Sequence, residues 1–93
     1  MIKVEGRTLW RGGVKIGYVE DEYVIDHSGE KVGFYSSDHV YGKNGNKVAH
    51  IEGDYIYFSD SGKKIRIEDN NKDVEGGSLS NIQKAAARIL LGE

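Results

Sequence analysis

The stretch Gly45 to Tyr57, GNKVAHIEGDYIY, decides the fold, because related copies of it recur along the chain. The copies begin at glycines 16, 16 and 17 residues apart, and each glycine is followed two positions later by a lysine and then by an aliphatic residue. This period is too short for a propeller blade of ~40 residues and suits one β-hairpin per copy. Because one hairpin is marginal in water, the sequence predicts four hairpins sharing a core. The glycines are Gly13, Gly29, Gly45 and Gly62, and the fourth copy stops at Ile67.

Two kinds of turn separate the strands of this pattern. A polar turn precedes each copy and ends at the glycine that begins the copy. Asn44-Gly45, in one of these turns, is the strongest hairpin signal in the chain. Polar triplets make the other turns, and each is followed by residues that favour β-structure. The triplets are Glu5-Gly6-Arg7, Glu20-Asp21-Glu22, Ser36-Ser37-Asp38 and Glu52-Gly53-Asp54.

Alternation along the strands after the glycines predicts their buried face. The repeated lysines lie on one face, and the aliphatic residues that follow them lie on the other. We predict that this second face is the core. Its members are Ile16, Val32, Val48 and Ile65, joined two residues later by Tyr18, Phe34, His50 and Ile67.

The position between these two core residues is small in three copies and Arg66 in the fourth. A small residue repeated in mid-strand indicates that another backbone or ring passes close by. We therefore expect the next hairpin to cover Gly17, Gly33 and Ala49.

Composition and charge favour one small domain spanning residues 1–93. The net charge of −2 gives no electrostatic footprint for nucleic acid or for an anionic membrane. The absence of cysteine excludes disulfides and thiolate metal sites. No segment reaches the ~20 apolar residues of a membrane span, and the start lacks the apolar run of a signal peptide. We expect a cytoplasmic protein with no nucleic-acid or membrane partner.

The repeated units resemble the four-fold β-flower domain, a small bacterial family. The pattern is clearest from Val40 to Tyr57, and the resemblance covers about residues 2–69. It implies four hairpin petals about a common axis, so the expected fold is mainly β, a pseudo-fourfold flower or barrel-like arrangement over residues 2–68. The family has no established activity, so the resemblance assigns no functional residues. Arg66 and the short turn Arg11-Gly12-Gly13 depart from the family pattern and affect only the exact symmetry.

The chain after the repeats predicts a polar linker over residues 69–77 and a helix over residues 78–91. Ser80 and Gln83 form a capping-box pattern, and Gly92 is a natural stop. A helix this short is marginal alone, so its apolar face must dock. It docks either on the hairpins or on the same helix of a second chain, and the alanines at 85–87 favour a homodimer. The face comprises Ile82, Ala86, Ile89 and Leu90.

The sequence offers no convincing metal site. His27 lies in a turn, His39 begins a strand, and His50 stands where Tyr18 and Phe34 stand in other copies. Their spacing of 12 and 11 residues matches no ligand motif, and the ordinary interpretation of His50 is a packing residue. We predict no metal and no cofactor.

The repeated lysines form the one candidate anion site. Pseudo-symmetry could bring them into a ring that binds an anion or a phosphate. The ordinary alternative is a solvated strand face, where lysines also deter strand-to-strand aggregation. The candidate residues are Lys15, Lys31, Lys47 and Lys64.

The aromatic residues could form a stacking platform for single-stranded nucleic acid. Such a platform needs basic surroundings, whereas Glu20, Asp21, Glu22, Glu52 and Asp54 lie in the neighbouring turns. We therefore assign most of the rings to the core, with tyrosine hydroxyls reaching water.

Catalytic hypotheses have little support. Asp26-His27-Ser28 holds the residue types of a triad, but adjacent residues cannot adopt triad geometry. Nothing combines a nucleophile, a base and an oxyanion site, so we predict no enzyme activity, with a minor hydrolase as the weakest hypothesis. The leading hypothesis is a structural or interaction module that self-associates through the C-terminal helix. The alternative is a small-ligand or anion-binding domain that uses the axis of the hairpins.

Overall fold

Ten strands and two helices make up the computed structural model, which describes residues 1–91. All ten strands pair into one sheet, so the predicted mainly β fold with a C-terminal helix is confirmed. The elements are β1 (Ile2–Glu5), β2 (Thr8–Arg11), β3 (Val14–Glu20), β4 (Tyr23–Asp26), β5 (Lys31–Ser36), β6 (His39–Gly42), β7 (Lys47–Glu52), β8 (Tyr55–Phe58), β9 (Lys64–Arg66), α1 (Ile67–Lys72), β10 (Val74–Glu75) and α2 (Asn81–Leu90).

The sheet follows the chain from one edge to the other. Each of the strands β1 to β8 pairs antiparallel with the strand that follows it, and β10 pairs parallel with β1. Helix α1 joins β9 at one edge to β10 at the other, and six helical residues rise only about 9 Å. The two edges must therefore lie close together, although the described strands do not pair across this gap and the sheet stays open.

Both predicted kinds of turn use left-handed backbone. The middle residues of the polar triplets, Gly6, Asp21, Ser37 and Gly53, have φ between 54° and 62°. The repeated glycines at 13, 29, 45 and 62 have φ between 70° and 90°. Side chains disfavour this conformation, which explains the glycine that begins each copy.

A β-bulge recurs at the same place in three successive copies. Leu9 pairs with Gly17 and Trp10 with Lys15, which leaves Ile16 as the additional residue. Val32 and Val48 are the additional residues between β4 and β5 and between β6 and β7. Strands β8 and β9 pair without a shift, so Ile65 lies directly opposite Ile56.

The bulges correct the predicted core. Because the additional residue interrupts the alternation, the small residues Gly17, Gly33 and Ala49 lie opposite the buried Leu9, Val24 and Val40. The aliphatic residues still pack against the core, as predicted. The prediction was wrong for Tyr18, Phe34 and His50, which belong to neither core cluster and pair across the other face.

Helix α2 lies on the inner face of the sheet, the face that carries Leu9, Val24, Val40 and Ile56. Ala85, Ala86 and Ala87 are each 0 % exposed. Ala87 joins the core cluster of β1, β2 and β3, whereas Ala85 and Ala86 join the cluster of β4, β6, β7 and β8. The helix therefore fills the core of its own chain. The small residue Gly33 lies beneath Leu90 of this helix as well as beside the next strand, so the expectation of cover by a hairpin was incomplete.

The polar segment after the hairpins is structured. The predicted linker over residues 69–77 instead contains most of α1 and all of β10. The hairpins end at Arg66, two residues before the predicted end at 68, because α1 begins at Ile67. Asn70 is wholly buried, and its side-chain oxygen accepts a hydrogen bond from Arg88, which also pairs with Asp73 at 3.2 Å. These contacts fasten α1 to α2.

The predicted capping box is confirmed, although the helix begins at Asn81 and not at residue 78. The Ser80 hydroxyl accepts from the Gln83 backbone, and the Gln83 side chain accepts from the Ser80 backbone. The predicted stop at Gly92 lies outside the described residues.

Candidate functional site

The outer face of the sheet, opposite α2, carries a continuous zigzag of rings. Phe34 stacks on Tyr41 with centroids 4.8 Å apart, and His50 stacks on Tyr57 at 5.3 Å. His39 connects the two stacks, 6.2 Å from Tyr41 and 5.9 Å from His50. Together with Tyr18, these half-buried rings form what we call the aromatic band, which comprises Tyr18, Tyr23, Phe34, His39, Tyr41, His50, Tyr55 and Tyr57.

Cationic side chains lie over the faces of these rings. The Lys31 ammonium is 4.0 Å from the Tyr23 centroid, and Lys64 is 4.4 Å from that of Tyr55. Lys15 lies 5.3 Å from Tyr18, and Arg66 lies 5.7 Å from Tyr55. These distances fall in the range of cation–π attraction, so the cations and rings stabilise each other on the surface.

The four repeated lysines lie in a row across the sheet. All four are exposed, and they stand near the starts of alternate strands, β3, β5, β7 and β9. Since neighbouring strands are about 4.8 Å apart, successive lysines are separated by roughly 10 Å along this row. Helix α2 fills the inner face, whereas Lys15, Lys31 and Lys64 lie over rings of the outer face. We call this row the lysine band.

Acidic residues gather at the opposite ends of the same strands. The turns that follow β3, β5 and β7 carry exposed carboxylates, which we call the acidic tips: Glu20, Asp21, Glu22, Asp38, Glu52 and Asp54. Glu52 lies five positions after Lys47, a distance of about 17 Å along a strand. The outer face is thus divided into cations, rings and carboxylates, in that order along β3, β5 and β7.

The geometry of the rings argues against base stacking. The faces of Phe34, Tyr41, His50 and Tyr57 are turned toward each other, and cations cover Tyr23 and Tyr55. A nucleic-acid platform needs ring faces that are open to successive bases. The expectation that most rings belong to the core is also wrong, because the aromatic band lies on the outer face.

The histidines do not assemble a metal site. His39 and His50 are neighbours within the aromatic band, whereas His27 lies in the turn after β4. His50 Nε2 is 3.5 Å from Glu52 Oε1, a contact at the acidic end of the face. Within residues 1–91, no three metal-ligating side chains come together.

Asp26, His27 and Ser28, which have the residue types of a triad, form a turn. Oδ1 of Asp26 accepts hydrogen bonds from the Ser28 hydroxyl at 2.6 Å, the Ser28 backbone at 2.9 Å and the Glu30 backbone at 3.0 Å. The Ser28 hydroxyl, followed by the Glu30 amide, lowers the pKa of Asp26 below its usual range. The Glu30 carboxylate pairs with Lys43 of the adjacent turn, which raises the pKa of Lys43. This cluster joins two hairpins. The carboxylate beside the Ser28 hydroxyl is a poor general base, because the pKa of Asp26 is lowered.

The predicted interface residues of α2 face the core of their own chain. Ala86 is wholly buried, and Ile82, Ile89 and Leu90 are half-buried against the second core cluster. Gln83 of the same helix donates to the Tyr35 hydroxyl at 2.7 Å, and that hydroxyl donates to the Asp21 carbonyl. Of the two docking sites left open by the sequence, these contacts correspond to the chain's own sheet.

Sequence reasoning missed the aromatic band and its separation from the acidic tips. The signal was present in the strands after the polar triplets, where Tyr23 and Ile25, His39 and Tyr41, and Tyr55 and Tyr57 flank one aliphatic residue. The central aliphatic residue is buried in each case, so its neighbours lie on the other face of the sheet, where Ile25 is also buried.

No protein-family model, functionally characterised protein or solved structure matches this chain. The resemblance to the four-fold β-flower family therefore stays a prediction. Neither helix within residues 1–91 has the length and apolar character to cross a membrane.

Proposed function

We propose that the protein is a non-enzymatic interaction module that self-associates through the outer face of its sheet. The observation that carries this proposal is the order of lysine band, aromatic band and acidic tips. Tyrosine is enriched at protein interfaces because it offers a large apolar ring and a polar end. Nucleic acid is disfavoured as the partner because the turns are acidic and because other rings or cations cover the ring faces.

The charge order makes the outer face complementary to itself. A two-fold axis along the aromatic band would reverse the strand direction of the second copy, so rings would meet rings. The same rotation would bring the lysine band of each copy onto the acidic tips of the other. Electrostatic complementarity of this kind fixes the orientation of the partners more than it adds affinity.

This proposal moves the contact surface from the helix to the sheet. The alanines that favoured a helix-mediated dimer are buried against β-strands of the same chain, so they offer no surface to a second copy. Because α2 packs on the inner face of the sheet, we favour the outer face over the alternative ligand site on the axis of the hairpins.

We further propose that the hairpins have the pseudo-fourfold arrangement implied by the flower family and that the protein acts in the cytoplasm. The repeated bulges opposite Leu9, Val24 and Val40 support the symmetry, because they give three successive copies the same local bend. The proposed symmetry is only approximate, because the sheet is open and β8 pairs with β9 without a bulge.

Sedimentation velocity over a range of protein concentrations tests self-association. We expect the wild-type protein to exceed the 10.3 kDa mass of one chain as concentration rises, and more salt to oppose this by screening the charges. The double variant Lys31→Glu, Lys47→Glu should remain a monomer. Lys72→Glu, on the 75 % exposed side chain of a lysine in α1, is the matched control and should associate as the wild type does. A wild-type protein that is monomeric at every concentration would refute the proposal.

A further inference from the structure

Strand β9 has an open edge with unpaired backbone groups. It pairs with β8 on one side, and no described strand pairs with it on the other. The carbonyl of Lys63 and the amide of Ile67 both bond toward β8. Because such bonds alternate along an antiparallel ladder, the amides of Lys64 and Arg66 and the carbonyl of Lys64 point away from β8. No backbone group within residues 1–91 bonds to these three groups, so they are open to an additional strand.

A groove of about 360 Å³ borders this edge, a volume within the usual range for binding sites. All three residues of β9 line it. Asp69 and Asp73 also line it, but each has a cationic partner, since Asp69 lies 3.5 Å from Lys72 and Asp73 lies 3.2 Å from Arg88. These paired carboxylates oppose an acidic ligand less than unpaired ones would.

Strand β9 carries two cations on its outer side. Lys64 makes no ion pair with any residue in the range 1–91, and its ammonium lies over the Tyr55 ring. Arg66 reaches one carboxylate, that of Glu68, at 4.0 Å, and the two side chains are 57 % and 73 % exposed, so this pair contributes little. Ile65, between the two cations, is half-buried against the second core cluster. The edge therefore has the order cation, aliphatic residue, cation.

The order of residues on β9 selects which strand this edge accepts. A second copy of β9 would bring like charges together, and cations on an edge strand are a common device against pairing of identical edges. A strand with carboxylates at the matching positions would instead form opposite-charge pairs across the two strands.

We propose that β9 binds an extended acidic segment of another protein by strand addition. The backbone of the segment bonds to the open groups of Lys64 and Arg66. Its order of acidic, aliphatic and acidic residues places carboxylates beside these two cations. The aliphatic residue extends the packing of Ile65, since alternate residues of a strand share one face. The binding uses the edge of the sheet and not its outer face, so it does not depend on self-association.

Fluorescently labelled peptides test the proposal by anisotropy. The probe is a short peptide of alternating glutamate and valine with blocked ends. One control peptide has lysine in place of glutamate, and the other keeps the sequence but carries methyl groups on its backbone nitrogens, which removes the donors of a strand. We expect saturable binding of one glutamate peptide per chain and affinities lower by about tenfold for both controls. Equal affinity for the methylated peptide would overturn strand addition, and equal affinity for the lysine peptide would overturn the choice of an acidic partner.

Substitutions of Arg66 test its charge and its amide separately. Arg66→Gln removes the charge and keeps the amide, so it should weaken binding of the glutamate peptide about threefold. Arg66→Pro also removes the amide. The φ of −72° at this position suits proline, and the amide faces away from β8, so the ladder with β8 should remain. Arg66→Pro should therefore bind about tenfold more weakly than Arg66→Gln.

Lys64→Gln should also weaken binding about threefold. Lys15→Gln, the same substitution at an exposed lysine of β3, is the matched control and should bind as the wild type does. A folded Arg66→Pro variant that binds as tightly as Arg66→Gln, or a loss with Lys15→Gln equal to that with Lys64→Gln, would overturn the proposal. The methylated peptide tests the same backbone bonds without any change to the protein.

Discussion

The tightest packing at the scale of single residues lies where the bulged strands meet their neighbours. A Cβ atom at Gly33 would overlap the carbonyl oxygen of Tyr41 and the side chain of Leu90. Gly42, which pairs directly with Gly33, has only ordinary contacts around the same position. Close contacts therefore require glycine at position 33, whereas they leave room for a larger residue at position 42.

We expect Gly33→Ala to lower the free energy of unfolding by about 1–3 kcal/mol, because the backbone must shift to relieve the overlap. Gly42→Ala is the matched control and should be neutral or slightly stabilising, since alanine reduces the entropy of the unfolded chain. Urea unfolding of both variants measures the difference. Equal effects would show that β5 is not held against β6 and α2 as described.

Asp26 gives a prediction about acid stability. Its folded-state pKa lies below the unfolded value because the Ser28 hydroxyl and the Glu30 amide donate to its carboxylate. The stabilisation is therefore complete above the unfolded pKa near ~4 and is lost as pH falls through the lower folded value. Asp26→Asn should lower the melting temperature at neutral pH and weaken its decline in acid. Thermal melts across the acid range measure both, and an unchanged acid dependence would contradict this role.

At the scale of elements, the sequence predicted the turns and caps, because these depend only on residues that are close together in the chain. The polar triplets, the left-handed glycines and the capping box of Ser80 and Gln83 each act within a few residues. The bulges at Ile16, Val32 and Val48 depend on pairing between strands, so simple alternation misplaced the ring that follows each one. Helix α1 was missed because its polar sequence lacks an apolar stripe, and its stability comes from contacts such as Asn70 with Arg88.

Removal of α2 tests how this helix contributes to the fold. A chain that ends at Gly77 would expose the inner face, including the fully buried Val24, Val40 and Ile56. Burial of such side chains contributes roughly 1.5–3 kcal/mol each, against a typical total of about 5–15 kcal/mol. We expect residues 1–77 to lose cooperative thermal unfolding, as followed by circular dichroism. A truncated chain that melts cooperatively near the temperature of the full chain would contradict the central position of α2.

At the scale of the whole molecule, the sequence predicted the exposure of the lysines but not the surface they help to form. Lys31 and Lys47 alternate with aliphatic neighbours, which was sufficient to place them in solvent. Their position beside the aromatic band and opposite Glu20 and Glu52 arises from the pairing of seven successive strands. Because the sequence repeats about every 16 residues, the order of lysine, ring and carboxylate recurs on alternate strands. The repeated order produces the three bands of the outer face.

A mixing experiment tests the self-complementary outer face most directly. Lys31→Glu, Lys47→Glu reverses charge in the lysine band, and Glu20→Lys, Glu52→Lys reverses it at the acidic tips. Each variant alone would bring like charges together across the two-fold axis, whereas the two variants together restore opposite charges on both sides. Sedimentation should therefore give the 10.3 kDa mass of one chain for each variant alone and twice that mass for their equimolar mixture. A mixture that stays monomeric, or variants that each associate as the wild type does, would contradict the account.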